Sequence, residues 1–228
     1  MTTREYCSGV ERKELRRKEL SATWPIQEDH SPLVSLKESG VPLIFEPAIV
    51  KDCDFRVREA LFGRIGRIAR RLDEQGKVLI IRSVWRSFGH QRRLWDEKAE
   101  EIRQRYPQKR PAEIAKIVSH FIAPAQESMH STGGAVDALV HDPQTDRVMN
   151  FGNNVGLKLQ LDETCYPHHP GISPEARRNR DLLMGLFEAE GFVVDLLEYW
   201  HFDYGNVSWA IAKNEEFARY GVIGERPE

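Results

Sequence analysis

The sequence predicts an α+β fold, a single domain in which helices pack on a central, mostly antiparallel sheet. Segments of helical periodicity and short β-branched segments are interspersed without the regular alternation of a doubly wound sheet. The 228 residues contain neither an internal repeat nor a low-complexity linker, so one domain is expected in preference to two.

The first 50 residues are expected to form a polar leader that packs on, or precedes, a main domain of residues 51–228. Between Glu11 and Glu19, acidic and basic residues alternate, which indicates a short solvated helix. Residues 24–47 contain four prolines and are expected to be extended chain and turns.

A helix is predicted over residues 55–72, because apolar side chains recur there at helical spacing. These residues are Val57, Leu61, Ile65, Ile68 and Leu72. The arginines between them are predicted to form a solvated face. Gly76 is expected to end the helix, and residues 77–85 are predicted to be a strand.

The remaining elements follow from the same signals. Pro111 opens a helix in the favoured first turn, and Ser173 with Pro174 forms an N-cap and first-turn pair. The predicted helices are 89–105, 111–122 and 174–190, and the predicted strands are 135–141 and 192–202.

Composition excludes several classes of protein. The 33 Lys and Arg against 35 Asp and Glu give a net charge of −2, so no nucleic-acid partner is expected. No apolar run approaches the length of a membrane span. The charged N-terminus does not resemble a signal peptide, and three scattered cysteines do not form a disulfide framework. We therefore expect a cytoplasmic protein.

Two short segments concentrate residues that could bind a metal. Segment 128–137 contains His130 and Asp137, and the two glycines between them offer a turn that would let these side chains converge. Segment 198–201 begins with Glu198 and ends with a histidine. Two histidines, one ligating carboxylate and one spare carboxylate are the components of a catalytic zinc site. Spacing alone leaves open which carboxylate is the ligand.

Together these segments resemble the motifs of the zinc D-alanyl-D-alanine dipeptidases. The pattern S-x-H-x-x-G-x-A-x-D is matched at every fixed position by Ser128, His130, Gly133, Ala135 and Asp137. The pattern E-x-W-H is matched by Glu198, Trp200 and His201, with Tyr199 where the family usually has Trp. The likeness extends over about residues 55–210. The wider superfamily includes lysostaphin-type peptidases and D-Ala-D-Ala carboxypeptidases.

The resemblance implies a role for each matched residue. His130, Asp137 and His201 would bind one Zn²⁺ per chain, and Glu198 would be the general base and later the proton donor to the leaving amine. Arg86, at the end of the strand before Ser87, would hydrogen-bond the scissile carbonyl oxygen and the developing oxyanion. A permanently charged, fork-shaped donor suits that task.

The substrate contacts match the family less closely. In the dipeptidases an Asp that binds the substrate's free amine follows a Met-Gly segment, and Phe151-Gly152 occupies that place here. If a short insertion is allowed, Asp162 falls into register and is expected to bind the amine. Ser128, from the first motif, is expected to contribute to substrate binding.

Three hypotheses follow from the resemblance. The first is a zinc dipeptidase that cleaves D-Ala-D-Ala or a similar small dipeptide. The second keeps the chemistry but acts on peptidoglycan peptides, as a DD- or LD-carboxypeptidase or a lysin-like endopeptidase. The third is a zinc-stabilised binding protein without turnover, against which the spare Glu198 argues. The oligomeric state is left open.

Overall fold

The centre of the molecule is a sheet of six strands drawn from both halves of the chain. The computed structural model describes residues 2–46, 54–119, 122–153 and 162–224. The helices are α1 (Thr3–Ser21), α2 (Glu59–Asp73), α3 (Phe88–Arg105), α4 (Pro111–Val118), α5 (Pro174–Ala189) and α6 (Val207–Lys213). The strands are β1 (Leu33–Ser35), β2 (Leu43–Phe45), β3 (Arg56–Arg58), β4 (Val78–Ser83), β5 (Ala135–Asp142), β6 (Arg147–Val148), β7 (Val193–Val194) and β8 (His201–Asp203).

The strand order of the main sheet is β2-β4-β5-β8-β7, with β6 also paired to β5. Only the β2–β4 pairing is parallel among these described strands. Strands β1 and β3 form a separate antiparallel ribbon. The predicted α+β class with a mostly antiparallel sheet is therefore confirmed.

Helix α2 covers the sheet with the apolar face that its periodicity predicts. Leu61, Ile65, Ile68 and Leu72 are fully buried, and Gly76, with φ of 66°, follows the helix. The helix begins later than predicted, because residues 56–58 pair with β1 instead. A backbone with strand partners gains hydrogen bonds from them that a longer helix would forfeit.

The predicted solvated arginine face is confirmed where Arg67 and Arg71 are exposed, and it is wrong at Arg58, which is buried. Three arginines of α2 converge on Glu190, at the end of α5. Arg64 donates to the Glu190 carbonyl at 2.6 Å, and Arg67 Nε donates to Glu190 Oε2 at 2.9 Å. Arg71 Nη1 lies 3.3 Å from Oε1 of the same carboxylate. These side chains therefore tie α2 to α5.

The predicted strand 192–202 is also wrong, because it is a hairpin of β7 and β8. Val194 pairs with Phe202, and residues 195–200 form the turn between the two strands. Asp195 sets this turn: its Oδ1 accepts from Leu197 N at 2.8 Å, and its N–H donates to the His201 carbonyl at 2.9 Å. An Asp side chain that caps its own turn competes effectively with a continuous strand.

The predicted leader contributes a helix and two strands, β1 and β2. Helix α1 starts with a capping box in which Thr2 and Glu5 bond each other's backbone N–H groups, and it packs against α6. Strand β2 pairs in parallel with β4. The boundary at residue 50 stays a prediction and lies outside the described residues.

Helix α4 is shorter than predicted, ending at Val118, and residues 120–121 lie outside the described chain. Throughout the described ranges, no helix has the combined length and apolar character needed to cross a bilayer.

Candidate metal centre

Two of the predicted ligands face each other across neighbouring strands. Strand β5 pairs with β8 so that Asp137 is directly opposite His201. Directly opposed residues project to the same face of the sheet with their Cβ atoms close together. The two side chains accordingly meet, with His201 Nδ1 2.9 Å from Asp137 Oδ1.

The third predicted ligand reaches the same face from a short 3₁₀ turn, residues Met129–Thr132, that precedes β5. Gly133 has φ of 75° and directs the chain from this turn into the strand. At Gly134 a Cβ would lie 2.5 Å from the carbonyl oxygen of Tyr204, so only glycine permits this approach. The turn brings His130 Nε2 to 3.3 Å from Asp137 Oδ2.

These three residues form a donor set that fits zinc. One ligand atom of each lies within 4.8 Å of the others, and all three residues are buried. Ligands about 2.1 Å from a tetrahedral ion lie roughly 3.4 Å apart. The 3.3 Å between His130 Nε2 and Asp137 Oδ2 is close to that spacing. Two imidazoles and a carboxylate also leave a fourth position for water, as in catalytic zinc sites.

Each histidine is oriented by a bond on its far nitrogen. His130 Nδ1 donates to the Val84 carbonyl at 2.8 Å, which leaves Nε2 directed at Asp137. His201 Nε2 donates to Asp203 Oδ1 at 3.1 Å, which leaves Nδ1 directed at the same carboxylate. Such outer bonds fix the ring orientation and raise the basicity of a metal-binding histidine.

Asp203 and its partner Asn206 were missed by the sequence analysis. Asn206 Nδ2 donates to Asp203 Oδ1 at 2.6 Å, and both residues are completely buried. A signal was available, because Asp203 lies two residues after His201 on one strand and must therefore share its face. Asn206 also caps α6 by accepting from Trp209 N, so the helix start and the outer bond depend on one residue.

The protonation states of the metal-free site follow from these contacts. Both ring nitrogens of His201 face carboxylates, so the ring is an imidazolium. Although burial lowers it, the pKa of His201 is held well above 6.5 by Asp203 and Asp137. Burial and the Arg86 cation lower the pKa of His130 to about 4. Against the effect of burial, the His201 imidazolium holds the pKa of Asp137 well below its usual range.

Glu198 lies in the turn of the β7–β8 hairpin, three residues before the predicted ligand His201. Its carbonyl accepts from His201 N at 3.1 Å, and the residue is partly buried. Burial raises the pKa of Glu198 to about 8, with Asp137 and Asp195 adding to the shift while His201 and Arg86 oppose it. The carboxyl group is thus within electrostatic reach of the predicted ligands but is not one of the three clustered donors.

Arg86 follows β4 and is anchored at both its backbone and its side chain. Its N–H donates to the His130 carbonyl at 3.2 Å, and its Nη1 donates to Gln91 Oε1 at 2.8 Å. Gln91 is buried and donates in turn to the Ala123 carbonyl at 2.7 Å. Gln91 therefore orients the guanidinium. The positive charge of Arg86 lowers the pKa values of both His130 and Glu198.

The two predicted substrate contacts lie in different surroundings. Ser128 is buried at the N-terminus of the 3₁₀ turn that carries His130. Asp162 is exposed and caps a second 3₁₀ turn, residues Glu163–Cys165, where its Oδ1 accepts from Thr164 N at 2.8 Å. Neither belongs to the clustered donor set, and both roles stay predictions.

Arg180 is a further residue that the sequence analysis missed. It is completely buried on α5 and donates to the carbonyls of Phe151, Thr164 and Tyr166 at 2.8 to 2.9 Å. Its guanidinium also lies 3.9 Å from the centre of the Tyr199 ring, next to Glu198. This one cation therefore connects the chain near Asp162 to the hairpin turn.

A buried His-Asp-His donor set with an additional glutamate nearby is typical of zinc-dependent hydrolases. A family profile described as D-ala-D-ala dipeptidase, peptidase M15, matches residues 63–220. The chain therefore belongs to the D-Ala-D-Ala dipeptidase family, a family of zinc metallopeptidases.

Two curated relatives and one solved structure illustrate this similarity. The D-alanyl-D-alanine dipeptidase of Escherichia coli K12 is 33% identical over 76 residues, which are 33% of this chain and 37% of the relative. That of Enterococcus faecalis V583 is 28% identical over 97 residues, or 42% and 45%. The matched segments thus span less than half of each relative. The structure of VanYB in complex with D-Alanine-D-Alanine has a TM-score of 0.47 at 17% identity, with coverage of 83% of this chain and 87% of that chain.

Proposed function

We propose that this protein is a zinc-dependent dipeptidase that hydrolyses D-alanyl-D-alanine or a similar small dipeptide. The observation that carries the proposal is the convergence of His130, Asp137 and His201 beside the turn that presents Glu198. Membership of the D-Ala-D-Ala dipeptidase family, and relatives that bear that name, support the choice of substrate.

One Zn²⁺ per chain would be held by His130 Nε2, Asp137 and His201 Nδ1. When bound, zinc supplies a Lewis acid that acidifies water and polarises a carbonyl oxygen. The second nitrogen of each histidine is already engaged by Val84 or Asp203, so the two ligating nitrogens are presented without any rearrangement of the rings.

Glu198 is proposed to move the proton. Its carboxylate would take a proton from the attacking water and then donate it to the departing amine. A carboxyl group with a raised pKa exchanges protons near neutral pH more readily than an ordinary glutamate, and the nearby cation of Arg86 favours the ionised form that accepts.

The remaining residues are proposed to bind and orient the dipeptide. The guanidinium of Arg86, steadied by Gln91, would donate hydrogen bonds to the scissile carbonyl oxygen and to the oxyanion that develops there. Asp162 would pair with the substrate's ammonium group, and Ser128 would line the pocket beside His130. A cytoplasmic location and a role in cell-wall metabolism also stay proposals.

Release of free D-alanine from D-Ala-D-Ala by the purified, zinc-loaded protein tests the function. We expect turnover that a chelator abolishes and added zinc restores. The variant Glu198→Ala should lose turnover while still binding one zinc per chain. Zinc-loaded protein that releases no D-alanine would refute the proposal. Faster cleavage of purified muropeptides than of the free dipeptide would instead indicate a wall-peptide carboxypeptidase or endopeptidase.

A further inference from the structure

Helix α1 lies outside the segment that matches the family, residues 63–220, yet its Arg17 contacts Asp195 in the turn that carries Glu198. We propose that Arg17 of this helix is a positioning residue that holds, through Asp195, the turn carrying Glu198. The inference rests on the proposed function, since it concerns where the general base is placed.

Arg17 binds three different parts of the chain at once. Its Nη1 lies 2.8 Å from Asp195 Oδ2 and donates to Ser208 Oγ at 2.8 Å. On its own helix, Nε and Nη2 bind the two oxygens of Glu14, a nearly buried carboxylate, at 2.7 and 2.8 Å. The fork-shaped guanidinium is thus fixed on every side, and it joins α1, the hairpin turn and α6 at one point.

Asp195 links Arg17 to the chain around Glu198 and His201. While Oδ2 faces Arg17, Oδ1 accepts from Leu197 N at 2.8 Å, and the backbone N–H donates to the His201 carbonyl at 2.9 Å. Leu197 is the residue before Glu198, whose own carbonyl accepts from His201 N. A shift of the Asp195 carboxylate would therefore move both the proposed base and a proposed zinc ligand.

Nearby carboxylates explain why the residue at position 17 has to be a cation. Asp195 and Glu198 are two acids three residues apart in one turn, with Asp203 close behind on β8. The charge of Arg17 acts on both Asp195 and Asp203. Without it, a partly buried carboxylate in the turn would lose its ion pair and would be drawn toward solvent, because an unpaired charge is costly to keep inside a protein.

The test compares Arg17→Met, Arg17→Lys, Asp195→Asn and the double variant Arg17→Met/Asp195→Asn in the full chain loaded with zinc. We expect Arg17→Met to lower kcat for D-Ala-D-Ala about 10- to 100-fold with little change in KM, since misplacing a catalytic group by about 1 Å has effects of that order. Arg17→Lys should recover part of the loss, and the double variant should lose less than the product of the two single losses.

Arg67→Met is the matched control, because it removes an ion pair to the buried Glu190, and neither partner is one of the proposed site residues. It should lower the urea midpoint while leaving kcat within twofold of the wild type. The positioning role is overturned if folded Arg17→Met keeps wild-type kcat, or if the losses in the double variant simply multiply. If Arg17→Met does not fold, Arg17→Lys and Asp195→Asn carry the same comparison.

The visible absorption spectrum of the cobalt-substituted protein separates this inference from the proposed function. Cobalt bands report the geometry of His201, which Asp195 holds through its backbone. If the wild type releases no D-alanine, the proposed function fails, but a spectral change in Arg17→Met that is absent in Arg67→Met still supports the positioning role. Identical spectra in all three proteins would overturn it.

Discussion

Adding zinc to the metal-free protein at pH 7 should release between one and two protons. Asp137 is already ionised, and His130, with a pKa of about 4, is already neutral. His201 is an imidazolium held by two carboxylates and must lose one proton to become a ligand. Glu198, with a pKa of about 8, is mostly protonated at pH 7. A nearby dication favours its ionised form, which accounts for the second proton.

The sign of the pH dependence follows directly. Because binding releases protons, zinc affinity must rise with pH, by about tenfold per pH unit for each proton released. Between pH 6 and 7 we therefore expect affinity to increase by roughly 10- to 100-fold. Calorimetric titration in buffers of different ionisation enthalpy counts the protons. Glu198→Gln should lower the count by up to about one proton and leave the His201 proton. Zinc binding without proton release, or affinity independent of pH over this range, would refute the assigned protonation states.

Three further outcomes are expected from substitutions outside the ligand set. Asp203→Asn should weaken zinc binding about 10- to 100-fold in competition with a chromophoric chelator, whereas the exposed Asp181→Asn should not; equal affinities would contradict the orienting role. Arg180→Met should lower the free energy of unfolding, measured by urea titration, by about 2–4 kcal/mol, because it leaves three backbone carbonyls without their hydrogen-bond donor. The same titration should show little change for the exposed Arg178→Met. Gly134→Ala should lower the free energy of unfolding by about 1–3 kcal/mol, because the new methyl group meets the Tyr204 carbonyl. Gly185→Ala, on the open surface of a helix, should raise it slightly. If thermal unfolding ranks the two variants the other way, the turn at Gly134 can relax.

Local signals in the sequence were sufficient to predict elements that depend only on neighbouring residues. The apolar face of α2 and the capped start of α5 at Ser173 appear where periodicity and capping predict them. The other elements and contacts depend on partners that are distant in sequence. Residues 56–58 became a strand because β1 was available to pair with them, and the arginines of α2 found Glu190 more than a hundred residues away. No window of sequence around α2 contains either partner.

The candidate site shows the same division. The turn at Gly133 and Gly134 could be read from the sequence, and it explains how His130 approaches Asp137. The hairpin turn could not be predicted from the sequence, because its geometry depends on the side chain of Asp195. That side chain is in turn held by Arg17, from a helix about 180 residues earlier. Orienting residues such as Asp203 carry no motif of their own, and they become visible only when the strand register is known.

The register also accounts for the charges that meet around His201. Burying the carboxylates of Asp137 and Asp203 on one face of a sheet is unfavourable unless positive charge lies between them. In the metal-free protein the His201 imidazolium supplies that charge, and it bonds both carboxylates in the orientation that a ligand requires. If a dication replaced the Nδ1 proton, the bond from Nε2 to Asp203 would stay in place and would hold the ring in the same orientation. We therefore expect His201 to keep this orientation when zinc binds, because its bond to Asp203 does not involve the nitrogen that faces Asp137.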